Sequence, residues 1–255
     1  MRAKLYVIPG SHACRTGILL LEHKRIDYEL VELTTGLHPL LLRLRGFQGN
    51  PAPFRPLEEG SDRKVGWPDR LGTVPSLLLD GRRVKTNREI ARFLDELQPD
   101  PPLFPSDPGE RRAVEEAERW GDEVLQMTAR RLGLASAMRG VLLNGGGRGR
   151  LGPLLWRRPR ARRLGMRVPA RAFRADPGAE KRLLAALPAM LDRVDDWIDA
   201  GVLGGEHLYA ADHSIVPSLA LLTYLPDARP EIERRRPLLR LVDRLLPDPT
   251  DDRRG

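Results

Sequence analysis

The sequence has one cysteine, Cys14, in 255 residues. A lone thiol excludes an intramolecular disulfide and fits a reducing compartment. It also excludes a cysteine-rich zinc site. The five histidines, His12, His23, His38, His207 and His213, show no metal-ligand spacing, so no metal is expected. Aromatic residues are only 5% of the chain, so the core must be built from Leu, Val, Ile and Ala. No apolar run approaches the ~20 residues of a membrane-spanning helix. The opening "MRAKLYVIPG" has too short an apolar stretch for a secretory leader. These absences predict a soluble, cytoplasmic chain with no membrane span. The glycine-rich "NGGGRGRLG" at 144–152 lacks the Lys-Ser/Thr end of a phosphate-binding loop and reads as flexible linker.

Acid is missing from one long stretch. Residues 148–174 hold ten arginines and no Asp or Glu, against a net charge of +8 for the whole chain. The remainder is therefore about neutral to slightly acidic. An arginine excess is what a GC-rich coding bias produces, and the plain reading of 148–174 is a solvated loop. The functional reading is an anion-binding arm, with Trp156 and Phe173 available to stack or insert. No known nucleic-acid-binding fold accompanies it, so a nucleic-acid partner is not expected.

What the chain does contain is ordered punctuation. "KLYVI" (4–8) reads as a strand, "PGSHA" breaks it, and a helical pattern follows from Cys14. "IDYELVEL" (26–33) reads as a second strand, giving a βαβ unit with parallel pairing. A short helix is expected in "LHPLLLRLRGF", and residues 50–71, with four prolines among charges, read as a long inserted loop. "SLLL" and "RRV" then flank Asp80-Gly81, a strong hairpin signal. Thr86 or Asn87 caps the next helix, and Thr86 with Glu89 has capping-box spacing. Five prolines between Pro99 and Pro108 mark a linker. Beyond it all periodicity is helical: Ala113, Ala117, Trp120, Val124 and Met127 on one predicted face, then Leu187, Leu191, Val194 and Ile198 on another. "AADHSIVPSLALL" is apolar on all sides, as a central buried helix requires.

This order, βαβ then ββα, a proline linker and an all-helical half, resembles the glutathione S-transferase family across nearly the whole chain. The best-matching pieces are "VPSLLLDGRRVKTNREIARFLDEL" and "AADHSIVPSLALL". The resemblance implies an α/β thioredoxin-like N-terminal domain (1–98), a linker (99–109) and an all-α C-terminal domain (110–255) with an Arg/Gly-rich insertion at about 144–176. Asp212, in the first turn of the buried helix, is expected to accept from free helix N–H groups as a folding element.

The resemblance also implies a thiol site. Ser11 falls where the family has the serine or cysteine that orients or attacks sulfur, with His12 beside it. Alternatively Ser11 is only a helix cap. Cys14, three positions on, is either a second reactive thiol or a small buried hydrophobe. Val74-Pro75 matches the family's cis-proline step, whose exposed backbone pairs with the cysteinyl part of glutathione; the plainer reading is that Pro75 only opens a strand. Thr86 and Asn87 stand where the family usually has Glu or Gln followed by Ser to hold the γ-glutamyl end. The acidic or amide partner for an ammonium group is missing here, so the thiol is glutathione or another low-molecular-weight thiol. The activity implied is conjugation of that thiol to a small electrophile, without metal or redox cofactor, in a homodimer. Two other readings stay open: a non-catalytic binding module whose basic arm meets an acidic partner, and a thiol-disulfide reductase acting through Cys14.

Overall fold

A computed structural model describes residues 2–8, 10–48, 73–140, 167 and 169–247. The expected loop at 50–71 lies outside the described residues, as does most of the basic insertion. The chain divides into two compact units, Met1–Leu103 and Phe104–Gly255.

The first unit is a four-stranded mixed sheet in the order β2-β1-β3-β4. Strand β1 (Ala3–Val7) runs parallel to β2 (Tyr28–Glu32) and antiparallel to β3 (Ser76–Leu79), with Leu5 opposite both Leu30 and Leu77. Strand β4 (Arg82–Lys85) returns antiparallel to β3 through Asp80-Gly81, both at positive φ (45° and 85°). Two positive φ angles are what a two-residue hairpin demands, which is why Asp-Gly was readable as a turn. Side chains alternate across the sheet. Leu5, Leu77 and Leu79 are fully buried on the face shared with α1 (His12–His23) and α3 (Asn87–Leu97). On the opposite face Tyr6, Leu33, Leu42 and Phe47 form a second cluster beneath the short helix α2 (His38–Leu44). Tyr6 and Phe47 meet edge to face at 5.5 Å.

Lys24, just past the end of α1, is fully buried. Its Nζ donates to Asp95 Oδ1 (2.7 Å) and to the carbonyls of Gln98 (2.7 Å) and Pro101 (2.6 Å). All three ammonium protons are thereby used. The same Asp95 oxygen accepts from the Leu103 N–H at 2.7 Å, and Gln98 Nε2 returns a bond to the Lys24 carbonyl at 2.7 Å. The C-terminal ends of α1 and α3 and the start of the linker are thus tied at one point. His23 Nε2 lies 3.2 Å from the Pro102 carbonyl, and burial holds its imidazole below the usual value.

All regular secondary structure among the described residues of the second unit is helical. Helix α4 (Pro108–Trp120) runs through a π-helical turn at Gly121–Leu125 into α5 (Gln126–Arg139). After them come α6 (Pro177–Asp199), α7 (Ala210–Leu222), α8 (Arg229–Glu233) and α9 (Arg236–Leu245). Every residue of α7 is buried, and it packs against α4, α5, α8 and α9. A Cβ at Gly121 would stand 2.7 Å from Ile215 Cγ1 and 3.0 Å from Ser214 Oγ, so only glycine lets the π turn lie on α7. The π turn corrects one expectation. Val124, placed on the core face by strict 3.6 periodicity, is exposed, while Leu125 is fully buried. The wider turn puts the helix out of phase with an unbroken pattern.

Asp212 is a second correction of detail. Its carboxylate accepts chiefly from Gly204 N (2.7 Å) and Tyr209 N (2.8 Å), the loop and cap before α7, and not mainly from N–H groups of the helix itself. Third-position acids reach back to the cap in this way. Burial pushes Asp212 up to about 6 against the opposing pull of those two N–H groups.

Two outcomes follow from these buried charges. Lys24→Met removes one partner of a buried pair and strands two carbonyls, so stability should fall by about 3–5 kcal/mol in urea unfolding; a loss below about 1 kcal/mol would show the cluster to be incidental. For Asp212 the folded value lies above the unfolded one, so the native state binds the extra proton. The contribution of Asp212 to stability is full below about pH 4 and falls by about 3 kcal/mol as pH rises to about 6. His23 acts in the opposite sense, losing stability as pH falls, because its neutral form is favoured in the fold. The Asp212→Asn variant isolates the first effect: its stability relative to the parent should rise with pH across that window, and a constant difference would refute the assignment.

Candidate thiol-binding site

Helix α1 supplies the local frame. Ser11 is its N-cap, and Ser11 Oγ accepts from the Cys14 N–H at 3.3 Å. This uses an oxygen lone pair and leaves the hydroxyl proton to donate elsewhere. Cap and thiolate donor are therefore compatible roles, not rival ones. No acidic side chain occupies the first turn, so the positive end of the helix is not offset locally. His12 opens the helix and is buried. Cys14 is 2% exposed, a thiol packed into the interior.

The Val74-Pro75 bond is cis. Ladder pairing between β1 and β3 ends at Tyr6 and Ser76, so Val74 and Pro75 lie just beyond it. Ser76 Oγ donates to the Thr73 carbonyl at 2.9 Å and closes a short turn around the step. Val74 packs against the cluster beneath α2, while Pro75 packs on α1. The contact on α1 is Gly17: a Cβ there would stand 3.0 Å from Pro75 Cγ and 3.1 Å from Pro75 Cβ. The two-residue step thus spans both sides of the sheet, with its proline against the helix that Ser11 caps.

Thr86 is the N-cap of α3, and its Oγ1 accepts from Glu89 N at 3.2 Å. The reciprocal half of the expected capping box is not formed among the described residues. Thr86 sits at φ 62°, ψ 146°, a region essentially reserved for glycine. Asn87 is 6% exposed. Its Nδ2 donates to the Ala13 carbonyl at 3.0 Å, tying the start of α3 to the first turn of α1. Its Oδ1 is buried with no partner among the described residues.

Three of the expected positions thus converge on one stretch of α1: Ser11 caps it, Asn87 bonds Ala13 and Pro75 rests on Gly17. Thr86 joins through Asn87. The family pattern points Thr86 and Asn87 at a ligand. Here the Asn87 amide donor is engaged inside the protein, and the Thr86 oxygen caps α3. Sequence reasoning passed over Gly17, although a glycine inside a helical pattern is a signal of close packing. Nothing in the sequence marked the strained Thr86 backbone, because threonine is an ordinary cap residue.

Solved structures share this architecture. A glutathione transferase from Populus trichocarpa is 17% identical, with 95% of this chain and 92% of that one covered at a TM-score of 0.61. A glutathione S-transferase from Ceriporiopsis subvermispora, in complex with glutathione, is 18% identical over 95% of this chain and 96% of its own, with a TM-score of 0.62. The beta-etherase LigF from Sphingobium sp. strain SYK-6 is 18% identical over 96% and 95%, also at 0.62. No protein-family model and no curated protein matches the chain. The fold is that of the glutathione transferases: a thioredoxin-like unit followed by an all-helical unit.

The Gly17 contact is testable. Gly17→Ala forces Pro75 and α1 apart by a few tenths of an ångström. The helix itself gains about 1 kcal/mol from alanine, whereas overpacking costs typically 1–3 kcal/mol. Net stability should be unchanged or lower, and thiol binding should weaken, read by thermal melts with and without thiol. A variant both more stable and unimpaired in binding would show that the contact does not hold the site.

Proposed function

We propose that the protein binds a low-molecular-weight thiol against Val74-Pro75, favours its thiolate at the start of α1, and transfers it to a small electrophile. The observation that carries this reading is the packing of Pro75 on Gly17 within the helix that Ser11 caps. A peptide-like thiol can pair with the Val74 backbone as an added strand. Its sulfur then meets the Ser11 O–H at the positive N-terminal end of α1, and both the donor and the helix end favour the anion over the neutral thiol. In the step itself the thiol proton goes to solvent, the sulfur lone pair forms a bond to carbon, and the leaving group departs with the carbon bond's electron pair. The solved neighbours with this fold support the reading, one of them in complex with glutathione.

Burial of Cys14 favours transfer over disulfide reduction. A reductase nucleophile must be reachable, and burial blocks access to this thiol. The far end of the thiol is less constrained. Among the described residues Thr86 and Asn87 bring no carboxylate to pair with an ammonium group there, and the one amide acceptor, Asn87 Oδ1, is buried. A thiol other than glutathione is accommodated equally well.

Substitutions at Ser11 separate cap from donor. Ser11→Ala loses both and should lower conjugation by about one to two orders of magnitude, the worth of a hydrogen bond to a charged group, with about 1 kcal/mol of stability lost from the cap. Ser11→Gly keeps cap stability within a few tenths of a kcal/mol and should lose the same activity. Cys14→Ala should conjugate normally. Full activity in Ser11→Gly, or loss confined to Cys14→Ala, would overturn the assignment; conjugation by no thiol in the parent would leave a binding module.

A further inference from the structure

Two of the four leucines of helix α2 face outward, and its N-cap, Leu37, adds a third. Leu42 is fully buried in the Tyr6–Phe47 cluster and Leu41 is half-buried against it. Leu37, Leu40 and Leu44, at helical spacing on the outer side, are 55%, 57% and 75% exposed. Leucines that line a groove are largely enclosed by its walls. A leucine three-quarters exposed has no wall beside it, so these three form a projecting ridge.

The ridge is flanked by cations. Arg43, Arg45 and Arg83 are exposed, and none pairs with a carboxylate among the described residues. Two of them are held in place. Arg45 Nη1 donates to the Leu41 carbonyl at 2.9 Å with its guanidinium 5.7 Å from the Tyr6 ring centre. Arg83 Nε donates to the Arg45 carbonyl at 2.8 Å, which brings β4 charge to the end of α2. On the same sheet face the register aligns Arg83, Leu78, Lys4 and Glu29 in one row, and there Lys4 and Glu29 neutralise each other at 2.8 Å. The local charge is therefore positive, matching the sign of the +8 carried by the whole chain.

We propose that this face docks on an anionic lipid bilayer. Helix α2 would lie in the plane of the surface, with Leu37, Leu40 and Leu44 in the acyl boundary and Arg43, Arg45 and Arg83 at headgroup phosphates. A bilayer deforms around a convex apolar ridge, and its anionic headgroups complement the arginines that flank this one. Exposed leucine beside cations is the pattern of helices that lie on membranes instead of crossing them. No helix among the described residues is long and apolar enough to cross. The long arginine stems reach headgroups while the leucines sit deeper. Such binding is weak and reversible, and it is set by lipid charge and ionic strength.

Co-sedimentation of the full chain with phosphatidylserine-containing and pure phosphatidylcholine vesicles tests this. Binding is expected to the first, much less to the second, and to fall with salt. Leu40→Ser with Leu44→Ser should lower the partition coefficient at least about tenfold. Arg43→Gln with Arg83→Gln should lower it about tenfold or more and flatten the salt dependence. All four positions are exposed, so melting temperature should hold, and it is measured alongside. No binding of the parent overturns the proposal. So does vesicle binding that the leucine pair leaves unchanged, which would assign the affinity to other basic residues. Sedimentation showing a dimer that the leucine pair dissociates, without vesicle binding, would give the ridge to a second copy instead.

Discussion

The first unit depends on a buried ammonium group. Lys24 places a charge where water does not reach, and such a charge is tolerable only if every proton finds an acceptor. Asp95 and two carbonyls provide them, and those carbonyls belong to the end of α3 and the chain beyond it. The charge therefore dictates how α1 and α3 finish relative to one another. Asn87 performs the matching task at the other end, where α3 begins beside the first turn of α1. Two helices pinned at both ends form a rigid wall, and Pro75 is seated on that wall at Gly17.

Rigidity of this kind is what a thiol site needs. The Ser11 hydroxyl is oriented because its oxygen is committed to the Cys14 N–H. A donor held in advance loses little freedom when an anion arrives. Strain is stored close by. Thr86 holds a backbone conformation that costs of order 1–3 kcal/mol, and the surrounding bonds of Thr86 and Asn87 maintain it. The second unit solves a different problem. Its central helix α7 has no exposed face, so its polar groups must be satisfied internally, and Asp212 does so for the loop and cap that precede it.

How much of this was legible can be argued residue by residue. The Asp80-Gly81 hairpin, the capping threonine and the apolar face of α3 were readable because each is decided within a few residues. The wholly buried α7 was readable because only a central helix tolerates apolar residues on every side. The convergence of Ser11, Asn87 and Pro75 was implied only by family resemblance, and the contacts that create it, to Ala13 and Gly17, were not foreseen. Val124 was misplaced because a π turn is invisible to a periodic count: the register changes where Gly121 meets Ile215, a contact 94 positions apart in the chain.

By itself the sequence determined the elements, their order and the chemistry available at the start of α1. Local propensity, turn geometry and apolar spacing act over short distances, and this chain obeys them almost everywhere. Only the tertiary structure decided that Cys14 is interior, that the Asn87 amide N–H is spent on Ala13, and that Lys24, an ordinary surface residue in any composition count, is fully buried. The outward leucines of α2 belong with these. Burial is a property of what packs on a side chain, and the partners come from strands and helices distant in sequence, so no window along the chain contains the information.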